Sequence, residues 1–251
     1  MDSSVAKTLK SKVRILCLIL TTERFFNTRV RVLNATWVRR CNDYYFIVNS
    51  NNTSLPHTIV TRMHDTRENL IFKVHNAFMY AYTNLIDKFD WILKADDDTY
   101  MVMENLRFLL SSYDPASPSY MGFHFNMYLK DYGYMSGGAG YVISNQGLRQ
   151  LVERGLKVPG ACALSKSYLF SEVSEDFEIG KCLRNSGVRV MNSRDRRDRE
   201  TFHPYPVFQH LIGSLPEYLL GWANNRQETV SPILCSSDLY SSSLGLWLHL
   251  I

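Results

Sequence analysis

No apolar run in the 251-residue chain reaches 18 residues. The longest, 15–20, is strand-sized, so no segment reads as a membrane-spanning helix. No signal peptide is recognisable either. The five cysteines form no CxxC pair and show no zinc-ligand spacing, which leaves buried thiols as one reading of them. Neither GxGxxG nor GxxxxGK[ST] occurs, which argues against dinucleotide and P-loop sites. Basic excess is also small: 28 Lys and Arg stand against 24 Asp and Glu, a net charge of +4. That charge reflects clusters such as 194–199 rather than a basic surface, so nucleic acid is not an expected partner. No internal repeat or linker divides the chain.

What is present is an ordinary globular composition, 45% hydrophobic and 21% charged, with length enough for a sizeable core. Residues 1–12 are polar and expected as a loose tail, with 13–251 a single domain. VRILCLIL (13–20) is nearly all apolar, the pattern of a parallel strand buried on both faces. Thr21 follows it, at the carboxyl end where open α/β sheets bind ligands. A helical pattern over 27–40 and a strand at 44–48 complete a βαβ unit. Residues 49–64 are expected as a polar loop. They carry two overlapping N-glycosylation sequons within Asn51-Asn52-Thr53-Ser54, and Asn34-Ala35-Thr36 is a third. A helix is predicted over 67–85, a strand near 119–125 and a short helix over 146–154. YMSGGAGYVIS (134–144) implies a sharp turn or a close backbone approach before a strand. Ser174, Glu175 and Asp176 read as the amino end of a helix reaching residue 184. Beyond residue 200 nothing is strongly periodic. The class is α/β with a mostly parallel central sheet.

The most informative stretch is DWILKADDDTY (90–100), an apolar strand opening into three consecutive carboxylates. Adjacent carboxylates repel one another unless a cation or hydrogen-bond donors neutralise them. In an extended chain Asp96 and Asp98 point to one side and Asp97 to the other, so the outer two can share a hard divalent ion. Such an ion keeps open positions for diphosphate oxygens, which points to a nucleotide-sugar site. The competing reading is a solvated acidic turn ahead of the helix that begins near Met103.

Taken in order, ATWVRRC (35–41), WILKADDDTYMVMENLRFLL (91–110), GYMSGGAGYVIS (133–144), EDFEIGKC (175–182), SRD (193–195), ETFHP (200–204) and CSSD (235–238) form a specific signature. By these the chain resembles the core 1 β1,3-galactosyltransferases, inverting enzymes of GT-A (Rossmann-like) fold that extend O-linked N-acetylgalactosamine (GalNAc) on Ser/Thr of glycoproteins. The resemblance implies UDP-galactose as donor and a GalNAc-Ser/Thr glycoprotein as acceptor. It implies Thr21, Asp65, Thr66, Arg67, Lys73 and Asp96 around the uridine nucleotide, cations suiting the diphosphate. Asp96 and Asp98 become ligands of Mn²⁺, a Lewis acid for the UDP leaving group. Asp176 is the implied general base, with Glu175 as understudy. Trp222 is either a platform for the acceptor sugar or a core tryptophan. Further implications are Cys17–Cys41 and Cys162–Cys182 disulfides, a Golgi lumenal setting through a type II membrane anchor, and often a homodimer.

Two departures from the family pattern qualify this. Past CSSD the family continues with an aromatic-His-aromatic segment whose histidine completes the metal site, but here that place falls on Leu244. Asn192 stands where an aspartate more often precedes SRD. No anchor segment is seen either, and Cys235 has no evident partner. The expectation is reduced or absent turnover with donor binding partly kept. The alternative function is a catalytically impaired, chaperone-like relative that binds nucleotide or nascent glycoprotein.

Overall fold

Ile15–Leu20 (β1) is buried along its whole length as an interior strand of a seven-stranded sheet. Its side chains alternate between two cores: Ile15, Cys17 and Ile19 enter one, Leu16, Leu18 and Leu20 the other. A strand buried on both faces has no polar side to show, which is why the run is continuous. The structure is a computed structural model that describes residues 3–49, 55–164, 174–224 and 235–237. The sequons at Asn51 and Asn52, the segment around Leu244 and part of the 155–171 stretch lie outside those residues.

In chain order the helices are α1 (Ser3–Lys12), α2 (Arg31–Ala35), α3 (Leu70–Asn84), α4 (Met103–Leu110), α5 (Asn145–Gln150), α6 (Glu175–Asn185), α7 (Val207–Ile212) and α8 (Glu217–Trp222). The strands after β1 are β2 (Asp43–Val48), β3 (Thr58–Val60), β4 (Trp91–Asp96), β5 (Thr99–Met101), β6 (Ser119–Gly122), β7 (His124–Phe125), β8 (Tyr134–Met135), β9 (Tyr141–Ser144), β10 (Arg189–Val190) and β11 (Cys235–Ser237). The main sheet runs β10-β6-β9-β4-β1-β2-β3. Only β9 is antiparallel to both of its neighbours, β4 and β6; the other pairings are parallel. The α/β class and the mostly parallel sheet are therefore as expected.

α3 packs one face, burying Ile71, Val74, Ala77, Phe78 and Ala81. On the other face Leu33 and Trp37 join Met103, Leu106 and Leu110 of α4. Arg107 is buried with α4, and its Nη2 donates to the Arg40 carbonyl at 2.7 Å and to Asn42 Oδ1 at 2.9 Å. These bonds supply partners for a charge that burial alone would make costly. A disulfide ties β1 to the segment before β2 (Cys17–Cys41), and a second ties a loop to α6 (Cys162–Cys182), the pairing implied by the resemblance.

Four expectations need correcting. Residues 3–12 are helical rather than a loose tail; Ala, Leu and Lys are good helix formers, and Asn42 Nδ2 reaches back to the Lys10 carbonyl at 2.9 Å. The helix predicted over 27–40 is broken into a π-helical turn at Phe26–Val30, α2 and a 3₁₀ turn at Val38–Arg40. The 49–64 loop contains β3, an edge strand parallel to β2. The region after residue 200 contains α7 and α8, each six residues long and too short for helical periodicity to show.

Candidate active site

β1 leads to β2 on one side of the sheet, while β4 lies on its other side. Strand order thus reverses between β1 and β4, and the crevice at their carboxyl ends is where open α/β sheets take ligands. Thr21 leaves β1 there and Asp96 closes β4, so the register Leu20↔Asp96 sets the two ends side by side.

β4 stops at Asp96, and Asp97 and Asp98 form a turn before β5. The turn, rather than strand alternation, separates the three carboxylates. Asp96 and Asp98 keep 35% and 28% of their side chains exposed, while Asp97 is turned inward at 8%. Asp97 Oδ2 accepts from Thr21 Oγ1 at 2.7 Å and Oδ1 accepts from Arg29 Nη1 at 2.7 Å. The same Arg29 nitrogen lies 2.9 Å from Asp98 Oδ2, and the guanidinium sits over the Phe25 ring. Burial pushes the Asp97 carboxyl up even though Arg29 and Thr21 pull it down. Internal cations therefore hold the triplet together, as the repulsion argument requires.

The second cation is Lys94, 2% exposed, whose Nζ lies 2.8 Å from Asp96 Oδ1 and 3.1 Å from Glu175 Oε2. Burial works against its charge, but Asp96 and Glu175 outweigh that and keep its pKa above the ordinary value. Glu175 takes a further hydrogen bond from the Tyr141 hydroxyl at 2.6 Å. Burial raises the Glu175 carboxyl despite the nearby ammonium.

Asp176, the next residue of α6, is held by three donors. The Gly137 amide reaches Oδ2 at 2.8 Å, the Phe177 amide reaches Oδ1 at 2.8 Å, and the Ser174 hydroxyl also donates to Oδ1. The glycines of YMSGGAG explain this approach: a Cβ on Gly137 would stand 3.3 Å from Asp176 Cβ and 3.4 Å from Glu175 Oε2. Ser174 occupies the cap position predicted for it, but its hydroxyl serves Asp176 rather than the helix backbone.

Of the other expected residues, Asp65, Thr66 and Arg67 are exposed at the approach to α3. Lys73 is buried, and its Nζ donates to Asp65 Oδ1 at 2.6 Å and to the Thr21 carbonyl at 3.1 Å. Its charge thus braces the end of β1. Trp222 is half-buried among Phe125, Tyr128 and Tyr218, with ring centroids 5.0–5.9 Å away. Tyr128 in turn meets Phe177, the neighbour of Asp176. Asn192 caps a local turn, its Oδ1 accepting from the Arg194 amide at 3.0 Å.

Arg29 and Lys94 were not singled out from the sequence. Lys94 had a visible signal, a lysine inside an otherwise apolar strand two residues before Asp96 and so on the same side of it. Arg29 had none, since its partners lie 68 and 69 positions away.

Residues 10–203 match the Fringe-like protein family. The sequence is 39% identical over 242 residues, 95% of this chain, to glycoprotein-N-acetylgalactosamine 3-beta-galactosyltransferase 1 of Xenopus laevis, and spans 64% of that protein's length. It is 24% identical over 185 residues to a beta-1,3-glucosyltransferase of Mus musculus, covering 72% of this chain and 35% of that one. Among solved structures, a Drosophila beta-1,4-galactosyltransferase 7 complex with manganese, UDP-Gal and xylobiose superposes with a TM-score of 0.40 at 17% identity. It covers 73% of this chain and 66% of that one, a superposition too loose to place any residue.

Proposed function

The chain belongs to the Fringe-like family, and from that premise we propose that it is a metal-dependent inverting galactosyltransferase of GT-A type. It would move galactose from UDP-galactose to the 3-hydroxyl of O-linked GalNAc on Ser/Thr of glycoproteins. The observation that carries this reading is a pair of partly exposed carboxylates, Asp96 and Asp98, next to a buried lysine that joins Asp96 to Glu175, the chain neighbour of the firmly held Asp176.

The residues present fit a divalent ion such as Mn²⁺. Asp96 and Asp98 offer hard oxygen donors with exposed area. Among the described residues no group of three or more His, Cys, Asp or Glu is placed to hold a metal ion; sites that also bind substrate phosphates typically use only one or two carboxylates. When bound, the ion supplies Lewis-acid stabilisation of the diphosphate leaving group. Asp97, locked to Thr21 and Arg29, shapes the turn, while Asp96 and Asp98 pair with Lys94 and Arg29 and keep exposed edges toward the ligand. Asp65, Thr66 and Arg67 would line the nucleotide, with Lys73 bracing Thr21 and Asp65 from beneath.

Inversion requires one in-line displacement, so a base must take the acceptor proton on the face opposite the UDP. Asp176, held by its three donors, would take that role, with the acceptor sugar against Trp222 and Tyr128. Two disulfides suit an oxidising, secretory compartment, and we assign the chain to the Golgi lumen, with a type II anchor and a homodimeric state as further parts of the proposal.

The test is UDP release with a GalNAc-peptide and Mn²⁺. The parent chain is expected to release UDP only with metal, and Asp98→Asn to lower the rate by about 100-fold or more, the scale of losing one transition-state electrostatic contact. A second reading, a catalytically impaired relative that binds donor or glycoprotein, is favoured by Leu244 at the place of the family's histidine. Mn²⁺-dependent UDP binding without any release supports it over the first.

A further inference from the structure

We propose that Lys94 is a positioning residue that fixes the base-bearing end of α6 relative to the metal-binding end of β4. The inference rests on the transferase reading for its catalytic consequence, but its structural content stands apart from it.

The surrounding strand gives the first argument. Trp91, Ile92, Leu93 and Ala95 are all buried hydrophobics, and position 94 pairs in register with Tyr141 of β9. An apolar side chain would suit such a place, and burying an ammonium is costly unless its partners offset the lost hydration. Lys94 has two such partners: Asp96, two residues ahead on the same side of its own strand, and Glu175, from the first turn of the distant α6.

The second argument is the geometry around Glu175. Its Oε2 faces Lys94, its Oε1 takes the Tyr141 hydroxyl at 2.6 Å, and Tyr141 is directly opposite Lys94 on the neighbouring strand. Both carboxylate oxygens are therefore anchored to the sheet, through two residues of one register pair. Asp176 follows at once in the chain, and Gly137 packs against both acids. Glu175 thereby acts as the peg by which the sheet holds the first turn of α6. Without the ammonium, Asp96 and Glu175 would be close anions with no cation between them, and the turn would move away from β4. A displacement of about 1 Å at a reacting group is enough to cost roughly 100-fold in rate.

Asp96 needs Lys94 less for metal binding than Asp176 needs it for placement, so the two readouts separate. In Lys94→Met, the calorimetric affinity for Mn²⁺ with UDP is expected within about 3-fold of the parent or tighter, while kcat falls roughly 100-fold. Amide hydrogen exchange in the first turn of α6 is expected to accelerate, with β1 exchange unchanged. Glu175→Gln keeps the Tyr141 bond, removes only the ion pair and provides the same readouts if Lys94→Met fails to fold; Lys94→Arg should restore part of kcat. A kcat within 3-fold of the parent, or affinity and kcat falling together, overturns the proposal. Should the parent bind Mn²⁺ and UDP but turn over nothing, the transferase reading fails and hydrogen exchange decides alone: unchanged protection of α6 in both variants overturns the role of Lys94.

Discussion

Arg29 is the residue whose removal should separate stability from ligand affinity most clearly. One guanidinium nitrogen serves Asp97 and Asp98 together, so it neutralises the inward carboxylate while also competing for one that faces the ligand. In Arg29→Gln the buried Asp97 keeps only Thr21, and the fold is expected to lose about 2 kcal/mol, below the usual cost of breaking a buried pair because Arg29 is partly exposed. Freed from its cation, Asp98 should bind Mn²⁺ several-fold more tightly. Chemical denaturation and calorimetry on the same variant check both. The acidic triplet itself was legible in the sequence, because an apolar run ending in three carboxylates is an unusual local pattern. Its neutralising partners were not, since an ion pair leaves no trace in local spacing. Lys73 shows the same limit: its sign fitted a diphosphate, but its direction toward Asp65 and Thr21 depends on how α3 packs under β1.

Elements defined by burial on both faces were the easiest to read. β1, β2, β4 and α3 fall within a few residues of their expected bounds because an all-apolar strand or a single apolar stripe allows few alternatives. Elements stabilised by contacts to distant residues were missed: α1, β3, α7 and α8 are short or polar. The 145–156 segment falls between these cases. Its helical pattern was visible, but not that Leu151–Leu156 widens into a π-helical turn against α6. Gly155 sits in that turn, where a Cβ would meet Ser186 Oγ at 2.6 Å, Cys162 Sγ at 2.8 Å and Cys182 Sγ at 3.0 Å. Overpacking of this kind costs about 1–3 kcal/mol. Gly155→Ala is therefore expected to lower the thermal midpoint by several degrees while leaving Mn²⁺ and UDP affinity unchanged, because the turn lies beside the disulfide and not at the crevice.

At the scale of the whole molecule, pH should act through buried imidazoles. His203 and His210 pack edge to face with centroids 4.6 Å apart, and both His203 ring nitrogens and His210 Nε2 have no hydrogen-bond partner among the described residues. Burial lowers His203 to about 3 and His210 to about 4, and it lowers His75 to about 4. A histidine with a depressed folded-state pKa supports the fold fully above its unfolded value near 6.5, and that support is lost as pH falls toward the folded value. Glu200 works in the opposite sense. Burial pushes it up to about 7, so its contribution is present below its unfolded value and lost as pH rises through 7. The imidazole effect is therefore best read as a difference. Between pH 7 and pH 5 the parent should lose about 2 kcal/mol more stability than His210→Phe, at about 1.4 kcal/mol per pKa unit, as measured by denaturant midpoints at the two pH values.

The two cystine bridges lie on opposite faces of the main sheet, one within each core. A host cytosol that keeps thiols reduced would yield a chain lacking a staple on either side, with β1 released from the run ahead of β2 and the 162 loop released from α6. Material for any of these measurements is best secreted, and resistance of those four sulfurs to alkylation before reductant is added is the simplest criterion that a preparation has folded.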